Sequence, residues 1–288
     1  REIDPKDFYR QLREGEMATT SAVNVSDFTE TIEPHLKEGR DVLVVAFSSG
    51  LSATCHSAQI AAQELSEQYP ERKVYVVDSL CASLGQGLLV WYAARMKNEG
   101  RGIGEVRDWL EENNFTCATG LRWTTSTSSS GAAAFPPRRP YWAPCLSIKP
   151  VMHVDDEGHL TKVGTARGRN ASLKALVDHM AETAIDPAGQ TVFISHGDCE
   201  EDAKQGGRGR EAPLRRADRG AQQRGPRHRR HSGPGTVALF FLGSTADGGR
   251  EVAGSDPGHH RGGAGRLCAR LTGNGVTGLA IEDEEDFK

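Results

Sequence analysis

The run Val42-Leu43-Val44-Val45-Ala46-Phe47 passes without a polar residue into Ser48-Ser49-Gly50-Leu51-Ser52-Ala53-Thr54, and this junction restricts the fold more than any other stretch of the chain. Apolar β-formers without alternation predict a strand covered on both faces, as in a parallel sheet. The hydroxyl-rich, glycine-turned loop that follows predicts a helix start, whose backbone N–H groups point at whatever lies beyond the strand end. Ligands of open α/β sheets bind at such ends.

A helix is predicted from about Ser52 to Gln68, with Ala58, Ala61, Leu65 and Tyr69 at three- and four-residue steps, Ser52 as N-cap and Pro70 closing it. A strand over Val74–Asp78 follows, then a helix from near Leu84 through Leu88, Leu89, Trp91, Tyr92 and Met96 to a stop at Gly100. The alternation of strand and helix predicts βαβ crossovers and a doubly wound α/β sheet. Trp91, Tyr92 and Trp109 read as packing residues.

Hydrophobic residues make up 37% of the 288 positions, which is low, and the reason is local. Between Ala203 and Arg230 there is no aromatic or β-branched residue and a single leucine, Leu214. Such a segment buries too little apolar area to offset its ordering entropy. Nine arginines and Lys204 against Glu211 and Asp218 leave it at +8, so that the rest of the chain carries −12 within the formal net charge of −4. An acidic body argues against nucleic acid as a partner. No run approaches the roughly 18 apolar residues of a membrane span, and Arg1 opens neither a signal peptide nor an initiator methionine, so the chain reads as a fragment. The six cysteines, Cys55, Cys81, Cys117, Cys145, Cys199 and Cys268, lack metal-ligand spacing and read as reduced thiols of a cytoplasmic protein, with no metal.

Four motifs carry a family resemblance. They are Phe47-Ser48-Ser49-Gly50-Leu51-Ser52-Ala53-Thr54; Val76-Val77-Asp78-Ser79 with Ala82-Ser83-Leu84-Gly85; Ile148-Lys149-Pro150-Val151 before Asp156-Glu157-Gly158; and His231-Ser232-Gly233-Pro234-Gly235-Thr236. In this order and spacing they closely resemble the DegV family of bacterial fatty-acid-binding proteins, over roughly residues 1–117, 145–202 and 231–243. The resemblance implies a two-domain α/β architecture: a parallel doubly wound domain over 1–117, lacking its first strand, and a second α/β domain with a mixed sheet over 118–243. Residues 244–288 read as an irregular tail. Gly243-Ser244-Thr245-Ala246-Asp247 resembles the sequence with which the family's proteins usually begin, so this tail is either the damaged start of a second copy or a chance likeness.

Two segments break the resemblance. Asp and Glu are absent from Asn113 to Val154, where Thr124–Gly131 and Phe135–Pro140 stand in place of the family's helix, and 203–230 replaces an expected helix and strand. An abrupt change to Arg, Gly, Pro, Ala and Ser between faithful stretches is what a G+C-rich gene gives in the wrong frame. We read 119–144 and 203–230 as frameshifted, with a natural Arg-rich insertion that touches RNA as the rival, and assign neither any regular structure.

The resemblance also supplies site residues. Thr20, in Met17–Val23, corresponds to the family's threonine that holds a fatty acid carboxylate, although Ala22 and Val23 depart from the family's pattern and a helix-capping role before Ser26-Asp27-Phe28 competes. Ser52 matches the serine that bonds the same carboxylate at a helix start, with Ser21, Ser48, Ser49 and Gly50 shaping the loops. His231 is implied as a polar residue near the head group. Arg167 and Arg169 correspond to a basic turn near the ligand mouth where a kinase would dock, or are solvated charges. His196 reads as structural.

The implied function is to bind one long-chain fatty acid, its tail in an apolar tunnel between domains, and to present the carboxylate to the catalytic subunit of a fatty acid kinase, which makes an acyl phosphate. No catalytic residue and no cofactor other than the bound lipid are expected, and no Gly-x-x-x-x-Gly-Lys-[Ser/Thr] motif is present. Three alternatives stay open: a serine hydrolase, although Ser48-Ser49-Gly50 is not Gly-x-Ser-x-Gly; a small-molecule phosphotransferase; and a frameshifted fragment without function.

Overall fold

The computed structural model describes residues 3–16, 18, 20–114, 117–122, 148–185, 190–208, 221–223 and 234–243, which form both helices and strands. In chain order the elements are α1 (Pro5–Glu14), α2 (Val25–Lys37), β1 (Val42–Ala46), α3 (Thr54–Gln68), β2 (Val74–Asp78), α4 (Leu84–Asn98), α5 (Ile103–Asn113), β3 (Cys117–Arg122), β4 (Ile148–Val154), β5 (Leu160–Arg167), α6 (Arg169–Thr183), β6 (Phe193–His196), α7 (Glu200–Arg208), β7 (Ala221–Gln223) and β8 (Val237–Leu242).

The chain divides into two units. One comprises Ser21–Cys117 and the turn Asp155–His159; the other comprises the residues up to Thr20, Ala118–Val154 and Leu160–Gly243. The sequence reading placed 1–117 together, whereas the residues before Ser21 cluster with the second unit.

In the first unit β1 and β2 pair in parallel, from Val42 opposite Val74 to Ala46 opposite Asp78. Parallel neighbours need a crossover, and α3 supplies it. Asn24 opens α2 with a capping box, its side chain accepting from Asp27 N–H while Asp27 accepts from Asn24 N–H. The apolar stripes of α2 and α3 (Phe28, Ile32, Leu36, Ala58, Ala61, Leu65) then cover Val42, Val44, Val74 and Val76. The strands' alternate residues face the other way, and α4 and α5 contact β1 while α5 also contacts β2. The unalternated run Val42–Ala46 is explained by these two covers. Helix α4 ends before Gly100, whose φ of +85° is the left-handed turn that the stop requires.

The second unit is built on a six-stranded sheet of order β5-β4-β3-β8-β6-β7. It is mixed: β3–β4, β4–β5 and β6–β8 are antiparallel and β6–β7 is parallel. Strand β8 is apolar throughout and nearly all buried, as an interior strand must be. Its Val237, Leu239 and Phe241 pack with Val151 of β4, Val192, and Leu173, Leu176 and Met180 of α6. Arg13 of α1 pairs with Asp198 at 2.5 Å.

Two expectations need correction. Helix α3 starts at Thr54 with Ala53 as N-cap, two residues after the expected start, because Leu51 N–H and Ser52 N–H both donate to Ser48 C=O at 3.1 Å and close a turn first. The segments assigned no regular structure do carry some: β3 runs to Arg122, α7 to Arg208, and β7 pairs with β6. Backbone pairing to an existing strand edge is indifferent to composition, which is why a composition argument missed β7. The remainder of both segments, and the tail 244–288, lie outside the described residues.

Candidate functional site

The carboxyl ends of β1 and β2 are tied into one surface by short polar links. Ser79 N–H donates to Ala46 C=O and Ser48 N–H to Cys81 C=O, both at 3.0 Å. The Asp78 carboxylate ends β2 by accepting from Ser49 N–H through both oxygens at 3.2 Å and from Leu80 N–H at 3.0 Å. Gln86 donates to Val45 C=O and Asn114 to Asp78 C=O, each at 2.9 Å. Leu80 (φ +48°) and Ser83 (φ +59°) hold left-handed backbone in the loop after β2. Non-glycine residues keep such conformations where surrounding structure over-determines them, which is common at ligand sites.

Ser48 is fully buried and donates from Oγ to Gly158 C=O at 2.8 Å, drawing the turn Asp155–His159 onto the β1 loop. The turn is closed internally by Gly158 N–H and His159 N–H, which donate to the backbone and side-chain oxygens of Asp155 respectively. A Cβ at Gly50 would sit 2.6 Å from Glu157 O, so residue 50 has to be glycine for the two loops to meet.

Ser52 is half-buried at the entry to α3. Its Oγ accepts from Thr54 N–H at 3.2 Å and shares a hydrogen bond with Thr54 Oγ1 at 2.9 Å. Thr54 Oγ1, in turn, accepts from Val23 N–H at 3.3 Å. The structure therefore gathers Ser48, Ser49, Gly50 and Ser52 with Thr54, Asp78 and Gly158. Ser21 is exposed. Thr20 is exposed and clusters with the other unit. His231 lies outside the described residues. The buried Cys55, at the start of α3, has its thiol pushed up to about 11, by burial first and by Asp78 second, so it stays protonated at neutral pH.

In the second unit Arg169 opens α6 and its guanidinium is engaged inside the fold. Nη1 donates to Gly235 C=O at 2.6 Å, and Nη2 pairs with Asp202 of α7. Arg167, on β5, is exposed. The strand ends of β6 and β8 are joined beside it: Gly197 N–H donates to Thr236 C=O at 2.8 Å and Gly235 N–H to Gly197 C=O at 2.5 Å. His196 is buried with Nδ1 accepting from Cys199 N–H at 3.3 Å, and the half-buried Cys199 Sγ meets Thr236 C=O at 3.4 Å.

Thr54, Asp78 and Gly158 have structural roles here that sequence reasoning left unassigned. Each stands inside a motif quoted above, and Asp78 carries a readable signal: an acid closing an apolar strand is placed to accept from the turn beyond it. Nothing in the sequence links Gly158 to Ser48, or Thr54 to Val23.

Among the described residues no three His, Cys, Asp or Glu side chains converge to hold a metal ion, and no helix is long and apolar enough to cross a membrane. The family model "Uncharacterised protein, DegV family" matches residues 1–119 and 143–244. Its interruption falls within the first aberrant segment, and it runs on across the second. The chain is 41% identical to a DegV domain-containing protein of Clostridium perfringens over 85% of its own length and 84% of that protein's. Its fold is similar to that of a fatty-acid-binding DegV family protein from Thermus thermophilus, with a TM-score of 0.68, 26% identity and coverage of 84% and 85% of the two chains. A likeness of fold alone, at 18% identity and a TM-score of 0.69, relates it to the fatty acid kinase B3 protein of Streptococcus pneumoniae loaded with linoleic acid, over 83% of this chain and 84% of that one.

Proposed function

The chain belongs to the DegV family, and on that premise we propose that it is a non-catalytic carrier of one long-chain fatty acid, whose carboxylate it offers to a separate kinase for acyl phosphate formation. The observation that carries this reading is the Ser52 hydroxyl, half-buried at the amino end of the fifteen-residue helix α3. A neutral hydroxyl there donates to a carboxylate while the helix dipole favours its charge. The acyl tail supplies most of the affinity, at ~0.8 kcal/mol per buried methylene, so that sixteen carbons give about 10 kcal/mol before ordering costs. Thr20 and His231 complete the head-group contacts in this proposal, and Arg167, exposed on β5, is the basic side chain left for a kinase. Arg169, held by Asp202 and Gly235, serves that role poorly.

The geometry weakens the hydrolase alternative. Ser48 commits its proton to Gly158 C=O and is shut off from solvent, so it is not an available nucleophile. Extraction of the purified protein followed by mass spectrometry tests the carrier reading. A co-purified fatty acid near one-to-one stoichiometry supports it; ester turnover abolished by Ser52→Ala would replace it with an enzyme. The frame shift at 119–144 and 203–230 belongs to the same proposal, and re-reading the gene in all frames tests it.

A further inference from the structure

Thr54 is 5% exposed, and among the described residues two groups lie within hydrogen-bond distance of its hydroxyl oxygen. One, Val23 N–H, only donates. The other, Ser52 Oγ, both donates and accepts. The Thr54 proton therefore goes to Ser52 Oγ, since the reverse arrangement leaves a buried hydroxyl proton without an acceptor. With that direction set, Ser52 Oγ accepts twice, from Thr54 Oγ1–H at 2.9 Å and from Thr54 N–H at 3.2 Å. Both its lone pairs are occupied, and its own proton has no acceptor among the described residues.

We infer that Thr54 is a positioning residue that orients the Ser52 hydroxyl as a pure donor, tuning this strand end to accept a carboxylate in preference to a neutral head group. The inference rests on the carrier reading above. Three physical effects support it. An oxygen that accepts two hydrogen bonds is a stronger donor, because hydrogen bonds in a chain polarise one another. A side chain held at two points needs no ordering when the ligand arrives. A donor with no lone pair to offer has nothing for a ligand hydroxyl proton, so an alcohol loses half of its hydrogen bonding there. The third member, Val23 N–H, anchors the Thr54 oxygen from the other side and so holds its proton toward Ser52.

The test compares binding of palmitic acid and of hexadecanol, which share a tail length and differ in head group, by wild-type protein, Thr54→Val, Thr54→Ser, Ser52→Ala and the Thr54→Val/Ser52→Ala double variant, with thermal unfolding of each as the check on folding. Thr54→Val keeps the side-chain shape and removes the hydroxyl. It is expected to weaken palmitate binding about fivefold and to leave hexadecanol nearly unchanged; Thr54→Ser is expected to restore palmitate affinity. In the Ser52→Ala background the Thr54→Val loss should vanish, as it must for a residue acting through Ser52. Equal weakening of both ligands, no rescue by serine, or additive losses in the double variant would each overturn the inference and leave the carrier reading standing. Wild-type protein that takes up neither ligand would overturn both.

Discussion

Gly158 folds back so closely on Ser48 that a Cβ at residue 158 would lie 2.2 Å from Ser48 Oγ, the atom that hydrogen-bonds Gly158 C=O. This single contact fastens the turn between β4 and β5 to the loop after β1. Gly158 also has a φ of +79°, so an alanine there carries both backbone strain and a clash. Gly158→Ala is expected to destabilise the protein by about 2–4 kcal/mol, read as a lower urea midpoint. A midpoint within experimental error of wild type would mean that the turn does not close on Ser48 in solution.

Removing the two hydroxyls proposed above to hold the head group, Thr20→Ala with Ser52→Ala, is expected to leave the far-ultraviolet circular dichroism unchanged and to weaken fatty acid retention at least tenfold, since each hydrogen bond to a charged group contributes roughly 1.5–3 kcal/mol. Unchanged retention by a folded double variant would remove these two residues from the site.

Arg169 uses two different nitrogens on two partners, Gly235 C=O and the Asp202 carboxylate. An ammonium group has no planar fork to reproduce this. Arg169→Lys is therefore expected to lose nearly as much stability as Arg169→Ala, on the order of 1–2 kcal/mol, with faster proteolysis in the loop around Gly235. Full recovery by lysine would show that charge alone matters there.

Burial holds the Cys55 thiol in its neutral form up to about pH 11, while in the unfolded chain it ionises near its ordinary value of 9.0. Below that lower value both states keep the proton and no pH dependence arises. As pH rises from about 9 to about 11 the unfolded state releases its proton first, so stability falls across that window. Cys55→Ala is expected to lose this part of the alkaline decline, and urea midpoints measured against pH for the two proteins would check it. Parallel curves would place an ionisable thiol at the surface.

Local order was legible along the chain because its signals are local. Val42–Ala46 and Val74–Asp78 announce themselves by unbroken apolar β-formers, α3 and α4 by their three- and four-residue spacing, and the end of α4 by Gly100. Motif order then carried the family likeness, and with it Ser52 as a candidate. Pairings across long stretches of chain left no such trace: Ser48 with Gly158, Thr54 with Val23, Arg169 with Gly235, and β7 against β6. Each depends on where distant backbone is carried by the packing of helices on sheets, and a hydroxyl or guanidinium reads the same in sequence whether its partner is water or a carbonyl 110 residues away. Folding therefore decided which serine is structural and which stays accessible: burial against Gly158 commits Ser48, whereas Ser52 stands half-buried at the start of α3, where we propose that it meets the head group.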